Sequence, residues 1–299
     1  MRPHRVALLL LVPVLACASA ASPATPRTPS VSRYDGPIID VHAHFRTGPD
    51  DGLAPTQPIG VDALRALEER AGVTRAGLIV IARAGAIEDT RRRNDAVIAA
   101  ALASAGFFFA IASVHPADGE AALAELDRLA AAGVRVIKLH PNTQRFDVAG
   151  PELAAVVERA AALGLVLLFD AYSPFDADEI GKFLLLAVQH PNARLVLAHM
   201  GAVRFHELAV FGMVRRFAWY PNNVWFDLSV VAAFYANSPY RDELSWVIRA
   251  VGVDHVLFGS DWPVDEPATA VEAVRRLGLD IDEQRQIFHD NAAALLGSD

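Results

Sequence analysis

The strongest constraint on the fold is an alternation of two kinds of segment, repeated eight times after residue 36. In each repeat a short apolar run is followed by a longer, Ala-rich amphipathic run, which predicts a strand and then a helix. The apolar runs lack a polar face, and such runs suit parallel strands that are covered on both sides. The pattern predicts strands near 38–43, 76–82, 107–114, 134–139, 165–169, 193–198, 224–227 and 255–259, and helices near 60–71, 90–105, 119–132, 151–163, 177–190, 204–217, 240–251 and 267–277.

Eight strand–helix units fit an α/β fold of the (β/α)8 TIM-barrel type, which typically needs about 250 residues. The structural alternative is an open, doubly wound sheet. No change of composition divides this part of the chain, so we expect a single catalytic domain over residues 36–299. Residues 282–297 are expected to form a terminal helix that closes it.

The first 20 residues predict a secretory signal peptide. Arg2 and Arg5 precede an apolar run at 6–16, and residues 18–20 read Ala-Ser-Ala, a small-residue cleavage pattern. The apolar run is too short to span a bilayer, which needs about 20 residues. Residues 21–35 are rich in Pro, Ser, Ala and Thr, and they predict a flexible leader.

The single cysteine leaves a second interpretation of the signal open. Residues 14–17 read Val-Leu-Ala-Cys and resemble a bacterial lipobox, in which the cysteine is lipidated and becomes the first residue of the mature protein. In either case we expect an exported protein, periplasmic or lipid-anchored in the bacterial cell envelope. Contact with a membrane is expected only through a lipid on Cys17.

Charge and cysteine content exclude several classes of function. The chain has 27 basic and 35 acidic residues, a net charge of −8, and removal of residues 1–20 with their two arginines makes it −8 − 2 = −10. A nucleic-acid partner is not expected, because it would need a basic stripe. One cysteine, located in the signal, excludes a disulfide framework, a cysteine zinc cluster and cysteine catalysis. Ten histidines leave a His/Asp metal site open, and we expect a small-molecule substrate.

Side chains that bind metals or move protons follow nearly every predicted strand. The carboxyl ends of parallel strands meet at one end of a barrel, where active sites lie. These side chains are therefore expected to come together. In strand order, with none after the second, they are His42 and His44, then His115, then Lys138 and His140, then Asp170, His199, Asp227 and Asp261.

The expected centre of this group is a divalent metal site. His42 and His44 are two residues apart, so on a strand both imidazoles point to one face. Imidazoles with carboxylates match Zn²⁺, the expected ion, with Mn²⁺ and Fe²⁺ as alternatives. Asp261 directly follows a buried strand, where it can bind the metal and take a proton from water. His199 is expected to be a ligand, a proton donor or an electrophile beside the metal.

Six further side chains are expected to bind substrate. Lys138 and His140 share a face; the lysine would bind an anionic group, bridge two metal ions if carboxylated, or be an ordinary charge at the rim. His140 precedes a proline and would otherwise only orient its loop. Asp227 is not one of the six; it would cap a turn or hold a ligand histidine by a hydrogen bond. The other four expected substrate-binding residues lie just past strand ends: Arg46, Tyr172, Arg204 and Trp262.

Six short motifs resemble the amidohydrolase superfamily, in particular the amidohydrolase-2 branch that includes aminocarboxymuconate-semialdehyde decarboxylase-like enzymes. The resemblance implies a TIM barrel with one or two divalent ions, in which His42 and His44 are ligands, His199 is a ligand or a catalytic histidine, and Asp261 is a ligand and general base. Family relatives often dimerise, so the resemblance is compatible with a homodimer. In chain order the motifs are IDVHAH at 39–44, IKLHP at 137–141, LAHMG at 197–201, FDLS at 226–229, FGSDWP at 258–263 and NAAALL at 291–296.

One position departs from the family. Its fifth strand usually ends in a metal-binding histidine, whereas residues 167–170 here read LLFD. Asp170 is expected to bind the metal in place of that histidine. An added negative charge makes the ion a poorer Lewis acid and favours metals that prefer oxygen, such as Mn²⁺.

The sequence thus predicts a metal-dependent hydrolase that cleaves an amide, ester or lactone of a small molecule. Asp261 would accept a proton from the attacking water, and His199 would stabilise the oxyanion or protonate the leaving group. The first alternative is a non-oxidative decarboxylase, in which Arg46, Lys138 or Arg204 holds a carboxylate. The second is a non-catalytic envelope binding protein with a degraded metal site.

Overall fold

Eight parallel strands form one sheet, and each strand pairs with the next along the chain. The computed structural model describes residues 33–46 and 60–297. The predicted signal peptide with Cys17, and the leader up to residue 32, lie outside the described residues. The strands are β1 (Ile38–His44), β2 (Val73–Ile79), β3 (Phe108–Ser113), β4 (Val136–Leu139), β5 (Val166–Asp170), β6 (Arg194–Ala198), β7 (Val224–Asp227) and β8 (Val256–Leu257).

The sheet closes on itself between its last and first strands. Val41 N donates to Phe258 O at 3.0 Å, and His44 N donates to Trp262 O at 2.8 Å. Sequential pairing with closure is the topology of a (β/α)8 TIM barrel, so the predicted fold is confirmed. An open, doubly wound sheet is excluded, because its strand order reverses around an internal β1. Here the strand order follows the chain from β1 to β8 without a reversal.

The helices lie between the strands. Within the described residues, none is both long and apolar enough to cross a membrane. They are α1 (Val61–Ala71), α2 (Ile87–Ala103), α3 (Glu120–Ala131), α4 (Pro141–Gln144), α5 (Pro151–Ala162), α6 (Glu179–Gln189), α7 (Ala209–Val214), α8 (Val231–Tyr235), α9 (Arg241–Val251), α10 (Pro267–Arg275), α11 (Ile281–Arg285) and α12 (Asn291–Leu296), with 3₁₀ segments at Pro116–Asp118, His199–Leu208 and Val253–His255 and a π-helical turn at Gln286–Asp290.

Two apolar cores hold the barrel together. The larger one lies between the strands and the helices, and the smaller one fills the barrel interior. Ala292, Leu295 and Leu296 of α12 pack into the interior core with inward-facing strand residues such as Ile39. The C-terminal segment therefore closes one end of the barrel, as its sequence predicted.

Two predicted elements differ from the structure. The helix expected near 204–217 is shortened to α7, because Met200, Gly201 and Ala202 take positive φ angles and the chain reaches Leu208 through irregular 3₁₀ turns. The eighth strand is two residues long, because Asp261 at φ 58° turns the chain toward β1 soon after it. Both departures lie at the carboxyl ends of strands.

Candidate metal centre

A bulge in β1 directs both histidines of the His-x-His motif into the barrel. Asp40 pairs with Ala76 and Ala43 with Leu78, so β1 advances by three residues where β2 advances by two. An extra residue of this kind is a β-bulge, and it changes the face on which later side chains lie. Ile39 and Val41 face the interior before the bulge, and His42 and His44 face it afterwards.

His42, His44 and Asp261 form one compact group of metal-type atoms. Asp261 Oδ1 lies 3.2 Å from His42 Nε2 and 3.1 Å from His44 Nε2. The backbone fixes this arrangement, because Asp261 N donates to His42 O at 2.6 Å. The three ligand atoms lie within 4.8 Å of one another. The structure thus brings together three of the five predicted ligands.

Asp227 orients the ring of His42. Its Oδ2 lies 2.9 Å from His42 Nδ1, and Lys138 Nζ lies 3.1 Å from His42 Nε2. Burial and the Lys138 charge lower the pKa of His42 to about 4, against the pull of Asp227 and Asp261. The neutral ring that fits both contacts donates from Nδ1 to Asp227 and accepts at Nε2. The contacts of both roles expected for Asp227 are present, since Oδ2 contacts a predicted ligand histidine and Oδ1 accepts from Ser229 N at 3.0 Å in a turn.

This geometry suits a bound cation. Burial opposes ionisation of Asp261, but the neighbouring imidazoles, His42 first, hold its pKa far below the usual range. A carboxylate oxygen and an imidazole acceptor therefore face each other across 3.2 Å. Two acceptors this close repel unless positive charge lies beside them. Lys138 Nζ, 3.1 Å from His42 Nε2, supplies such a charge in this structure, and a divalent ion between the ligand atoms would supply it as well. Two imidazole nitrogens and a carboxylate are donors that divalent transition metals accept, so these residues fit the predicted metal.

Asp170 lies in a second group, with His140 and His199. Its Oδ2 is 3.1 Å from His199 Nε2 and 3.3 Å from His140 Nε2. Burial opposes protonation of His199, but the charge of Asp170 outweighs it and raises the pKa of His199 to about 9. Burial lowers the pKa of His140 to about 4. A protonated His199 beside an ionised Asp170 is arranged to donate a proton or to stabilise negative charge.

Ser229 links the two groups, and sequence reasoning gave it no role. Its hydroxyl lies 3.2 Å from His42 Nδ1 and 2.9 Å from His199 Nδ1, and it donates to Asp227 Oδ1. His42, His199 and Asp227 also satisfy the distances of a metal group. The Ser229 hydroxyl already contacts all three, so the group with His44 and Asp261 is the better fit. The spacing of Asp227 and Ser229 at the end of β7 could have signalled this residue.

Two cavities meet at this site. The first has a volume of about 710 Å³ and is bordered by the loops after β2, β3 and β4. The second has a volume of about 420 Å³ and is bordered by α8 and the segment after β6. The cavities share His140, Asp170, Asp261 and Val264 as lining residues. Both candidate groups are therefore reached from each cavity.

The six residues predicted to bind substrate divide into two sets. His140 lines both cavities and Tyr172 lines the second. Lys138, Arg46 and Trp262 line neither cavity, and all three are buried. Lys138 instead reaches the site from within the barrel, where it contacts His42.

Arg204 also lines neither cavity, and its expected role in substrate binding stays a prediction. Its guanidinium donates to the carboxylate of Glu207, with Nε–Oε1 at 2.7 Å, and to the backbone carbonyls of Asp176 and Ala177. These partners occupy its donors, so the side chain ties the loop before α6 to the segment after β6. Sequence position alone showed its place past a strand end and gave no sign of these partners.

A family model described as "Amidohydrolase" matches residues 39–298. The chain belongs to the amidohydrolase family. The resemblance stated from the six motifs is therefore confirmed, and a search of curated proteins finds no match. The family match indicates an enzyme of the amidohydrolase superfamily, and the described residues contain groups able to hold a divalent ion.

Solved structures of amidohydrolase-like proteins share the fold at low identity. 2,6-Dihydroxybenzoate decarboxylase from Rhizobium is 18% identical with a TM-score of 0.68, over 87% of this chain and 98% of that one. 5-Carboxyvanillate decarboxylase from Sphingomonas paucimobilis is 18% identical with a TM-score of 0.67, over 87% and 98%. A dihydroxybenzoic acid decarboxylase from a Polaromonas species, with bound manganese, is 19% identical with a TM-score of 0.68, over 87% and 96%. These likenesses establish the barrel.

Proposed function

We propose that this amidohydrolase is a metal-dependent hydrolase of a small-molecule amide, ester or lactone. One observation carries the proposal: His42 Nε2, His44 Nε2 and Asp261 Oδ1 converge where two cavities meet. Zn²⁺ is the proposed ion, with Mn²⁺ and Fe²⁺ as alternatives, and His42, His44 and Asp261 would hold it. When bound, such an ion polarises a carbonyl and makes water more acidic.

The protein's own side chains supply the proton transfers. Asp261, ionised and close to both histidines, accepts a proton from the attacking water. His199, whose pKa is raised to about 9, stabilises the developing oxyanion or protonates the leaving group. Asp170 holds Nε2 of His199 from one side, and Ser229 contacts Nδ1 from the other. The reaction therefore has a base and an acid that follow two different strands, β8 and β6.

The first test is elemental analysis of the purified mature protein beside three variants. We expect about one or two divalent ions per chain, and their loss in a His42→Ala/His44→Ala double variant. Asp170→Asn is expected to keep the ion and to lower turnover, because the structure groups Asp170 with His199; loss of the ion would make it a ligand, as first expected. The control is His289→Ala, which removes a partly exposed histidine bonded to Asp290.

The hydrolase is tested on amides, esters and lactones, with Asp261→Asn expected to lower kcat by about 10²–10⁴-fold. Wild-type protein that holds no ion after incubation with Zn²⁺ or Mn²⁺ would overturn the proposal in favour of a binding protein with a degraded site. Full activity in Asp261→Asn would show that the base has been misassigned.

A non-oxidative decarboxylase is the second candidate, because the structural neighbours above carry that name and one holds manganese. None of the three residues expected to hold its carboxylate lines either cavity, and Arg204 is bonded elsewhere. Release of CO₂ from aromatic acids, without hydrolysis of the amide panel, would establish this candidate.

We also propose that the protein is exported and attached to a bacterial membrane through a lipid on Cys17, or released as a periplasmic protein after cleavage. The lipobox-like residues 14–17 and the small residues 18–20 support these two alternatives. Fractionation of Cys17→Ser cells separates them: a lipoprotein moves from the membrane to the soluble fraction, whereas a cleaved protein is unchanged. Sedimentation velocity of the mature protein tests the expected homodimer.

A further inference from the structure

The two cavities that meet at the metal centre differ in charge, because only the first has arginines in its lining. The first cavity has three arginines in its lining, Arg83, Arg93 and Arg145. The second is lined mainly by aromatic and branched aliphatic side chains, among them Phe234 and Tyr235. We call them the arginine lobe and the apolar lobe. A ligand that spans the centre must therefore present different chemistry to the two sides.

Two of the three arginines have cationic groups available for a ligand. Arg93 donates to Asp89 Oδ2 at 2.8 Å and is already paired. Arg83 and Arg145 are exposed, and neither makes an ion pair or a side-chain hydrogen bond with any residue in 33–46 or 60–297, although the charge of Arg83 helps to lower the pKa of Asp89. An arginine on a carboxylate or phosphate group makes two parallel charge-assisted hydrogen bonds. The arginine lobe is thus suited to an anion.

The loops that carry these arginines are fixed to each other. The side chain of Gln144, next to Arg145, donates to Ala82 O at 3.1 Å and to Val114 O at 3.0 Å, and it accepts from His140 N at 2.8 Å. Ala82 directly precedes Arg83. One buried glutamine therefore joins the loops after β2, β3 and β4, which holds the backbone at both arginines in register with the site.

The apolar lobe exposes hydrophobic surface beside the catalytic groups. Phe234 is 67% exposed although it lines the cavity, and Val231 and Tyr235 lie on the same short helix. Val230, before that helix, takes a φ of 61°, which is unusual for a β-branched residue. Strain of this kind is stored where the surrounding structure requires a particular shape. Apolar groups around a cavity favour burial of an aryl or alkyl group.

We infer that the substrate is an amphipathic acid whose reacting amide or ester bond lies between a carboxylate and an aryl or alkyl group. The carboxylate binds Arg83 and Arg145, and the apolar group packs against Phe234 and its neighbours. The reacting bond then lies over Asp261 and His199, at the junction of the lobes. This inference rests on the proposed hydrolase for the bond that is cleaved, and on the two lobes for the groups that flank it.

Binding of three acids tests the inference with the metal-loaded full chain. The probes are N-benzoylglycine, N-benzoyl-β-alanine and N-benzoyl-γ-aminobutyrate, each compared with its neutral carboxamide by calorimetry. We expect at least one acid to bind tenfold or more tightly than its carboxamide. The Arg83→Gln/Arg145→Gln variant is expected to abolish that preference, and Phe234→Ala to weaken acid and carboxamide alike. The matched control is Arg92→Gln, an exposed arginine that lines neither lobe and pairs with Asp89.

The outcomes separate this inference from the proposed reaction. Equal binding of acids and carboxamides to the wild type, an absence of binding, or an acid preference that survives in the double arginine variant would overturn the inference. Tight, arginine-dependent binding without hydrolysis of any probe amide or of its ester counterpart would support the two-lobed substrate site and count against the hydrolase.

Discussion

Two buried carboxyl groups meet behind the first strand, outside the cavities. Asp40 Oδ1 accepts from His42 N at 2.8 Å and from Ser260 N at 3.0 Å. Among the described residues, Asp40 Oδ2 and both Glu68 oxygens have no ordinary donor. Burial, then the charge of Asp40 and a hydrogen bond to its carboxyl, raise the pKa of Glu68 well above the usual range. A single proton shared between the two carboxyl groups explains how both can be buried without another donor.

Glu68→Gln is expected to make the protein more stable above neutral pH. Between the unfolded pKa of about 4.3 and the raised folded value, the folded state binds more protons than the unfolded state, so stability falls as pH rises. The glutamine amide donates to Asp40 without a titrating proton, which removes this slope and adds roughly 1–3 kcal/mol at about pH 8.5. Urea unfolding at about pH 5 and about pH 8.5 measures both effects.

The control for this prediction is Glu69→Gln, at an exposed neighbour that pairs with Arg65. It should keep the wild-type slope. A Glu68→Gln protein whose stability runs parallel to that of the wild type at both pH values would show that Glu68 is ionised in the folded state.

At the scale of single residues, the sequence predicted which residues lie at the site better than it predicted which of them contact each other. The spacing of His42 and His44 was enough to place both imidazoles on one face, because strand geometry has a period of two. That Asp261 rather than Asp170 contacts this pair depends on closure of β8 against β1, which leaves no local signal. Two partners of Arg204, the backbone carbonyls of Asp176 and Ala177, lie on a loop distant in sequence and likewise leave no local signal.

At the scale of elements, the eight strand–helix units could be predicted because parallel strands covered on both sides have a continuous apolar pattern. The β1 bulge could not, since an inserted residue changes the facing of a strand without changing its composition. The start of the helix predicted at 204–217 was wrong, because residues 204–208 suit a helix in composition but continue the irregular turns that begin at residues 199–202, where φ is positive.

Helix packing around the barrel yields an element-scale prediction from two glycines. A Cβ on Gly212 of α7 would lie 2.2 Å from Ala250 O of α9, so the helices approach through this glycine. Gly212→Ala should lower the free energy of unfolding by about 1–3 kcal/mol. Gly181 of α6 has no atom within 4 Å of its Cβ position, and Gly181→Ala should raise stability by about 0.5–1 kcal/mol.

Thermal and urea unfolding of the two glycine variants give the comparison. We expect the free energy of unfolding to fall in one variant and to rise in the other, although both are Gly→Ala substitutions, because the space around the new methyl group differs. Equal shifts for both variants would mean that α7 and α9 separate easily and that the close approach contributes nothing to stability.

At the scale of the whole molecule, residues that stabilise the barrel and residues of the candidate metal centre lie at different ends of the strands. The metal-type residues gather where the strands end, whereas α12 fills the opposite end through Ala292, Leu295 and Leu296. Sequence order alone predicted the gathering of the metal-type residues, because consecutive parallel strands in a closed sheet bring all their carboxyl ends to one side. It also predicted a closing terminal helix, but not the end of the barrel at which that helix lies. Stability and metal binding should therefore respond to different substitutions.

Leu296→Ala tests this separation. The side chain is 8% exposed in the interior core, and its truncation leaves a cavity where α12 closes the barrel. We expect a loss of about 2–5 kcal/mol in the free energy of unfolding. Metal stoichiometry should stay at the wild-type value, since the ligand atoms lie at the other end of the strands. Leu102→Ala, at a side chain that is 79% exposed, is the control and should change stability little. Loss of the ion from folded Leu296→Ala protein would show instead that packing of α12 determines the geometry of the metal centre.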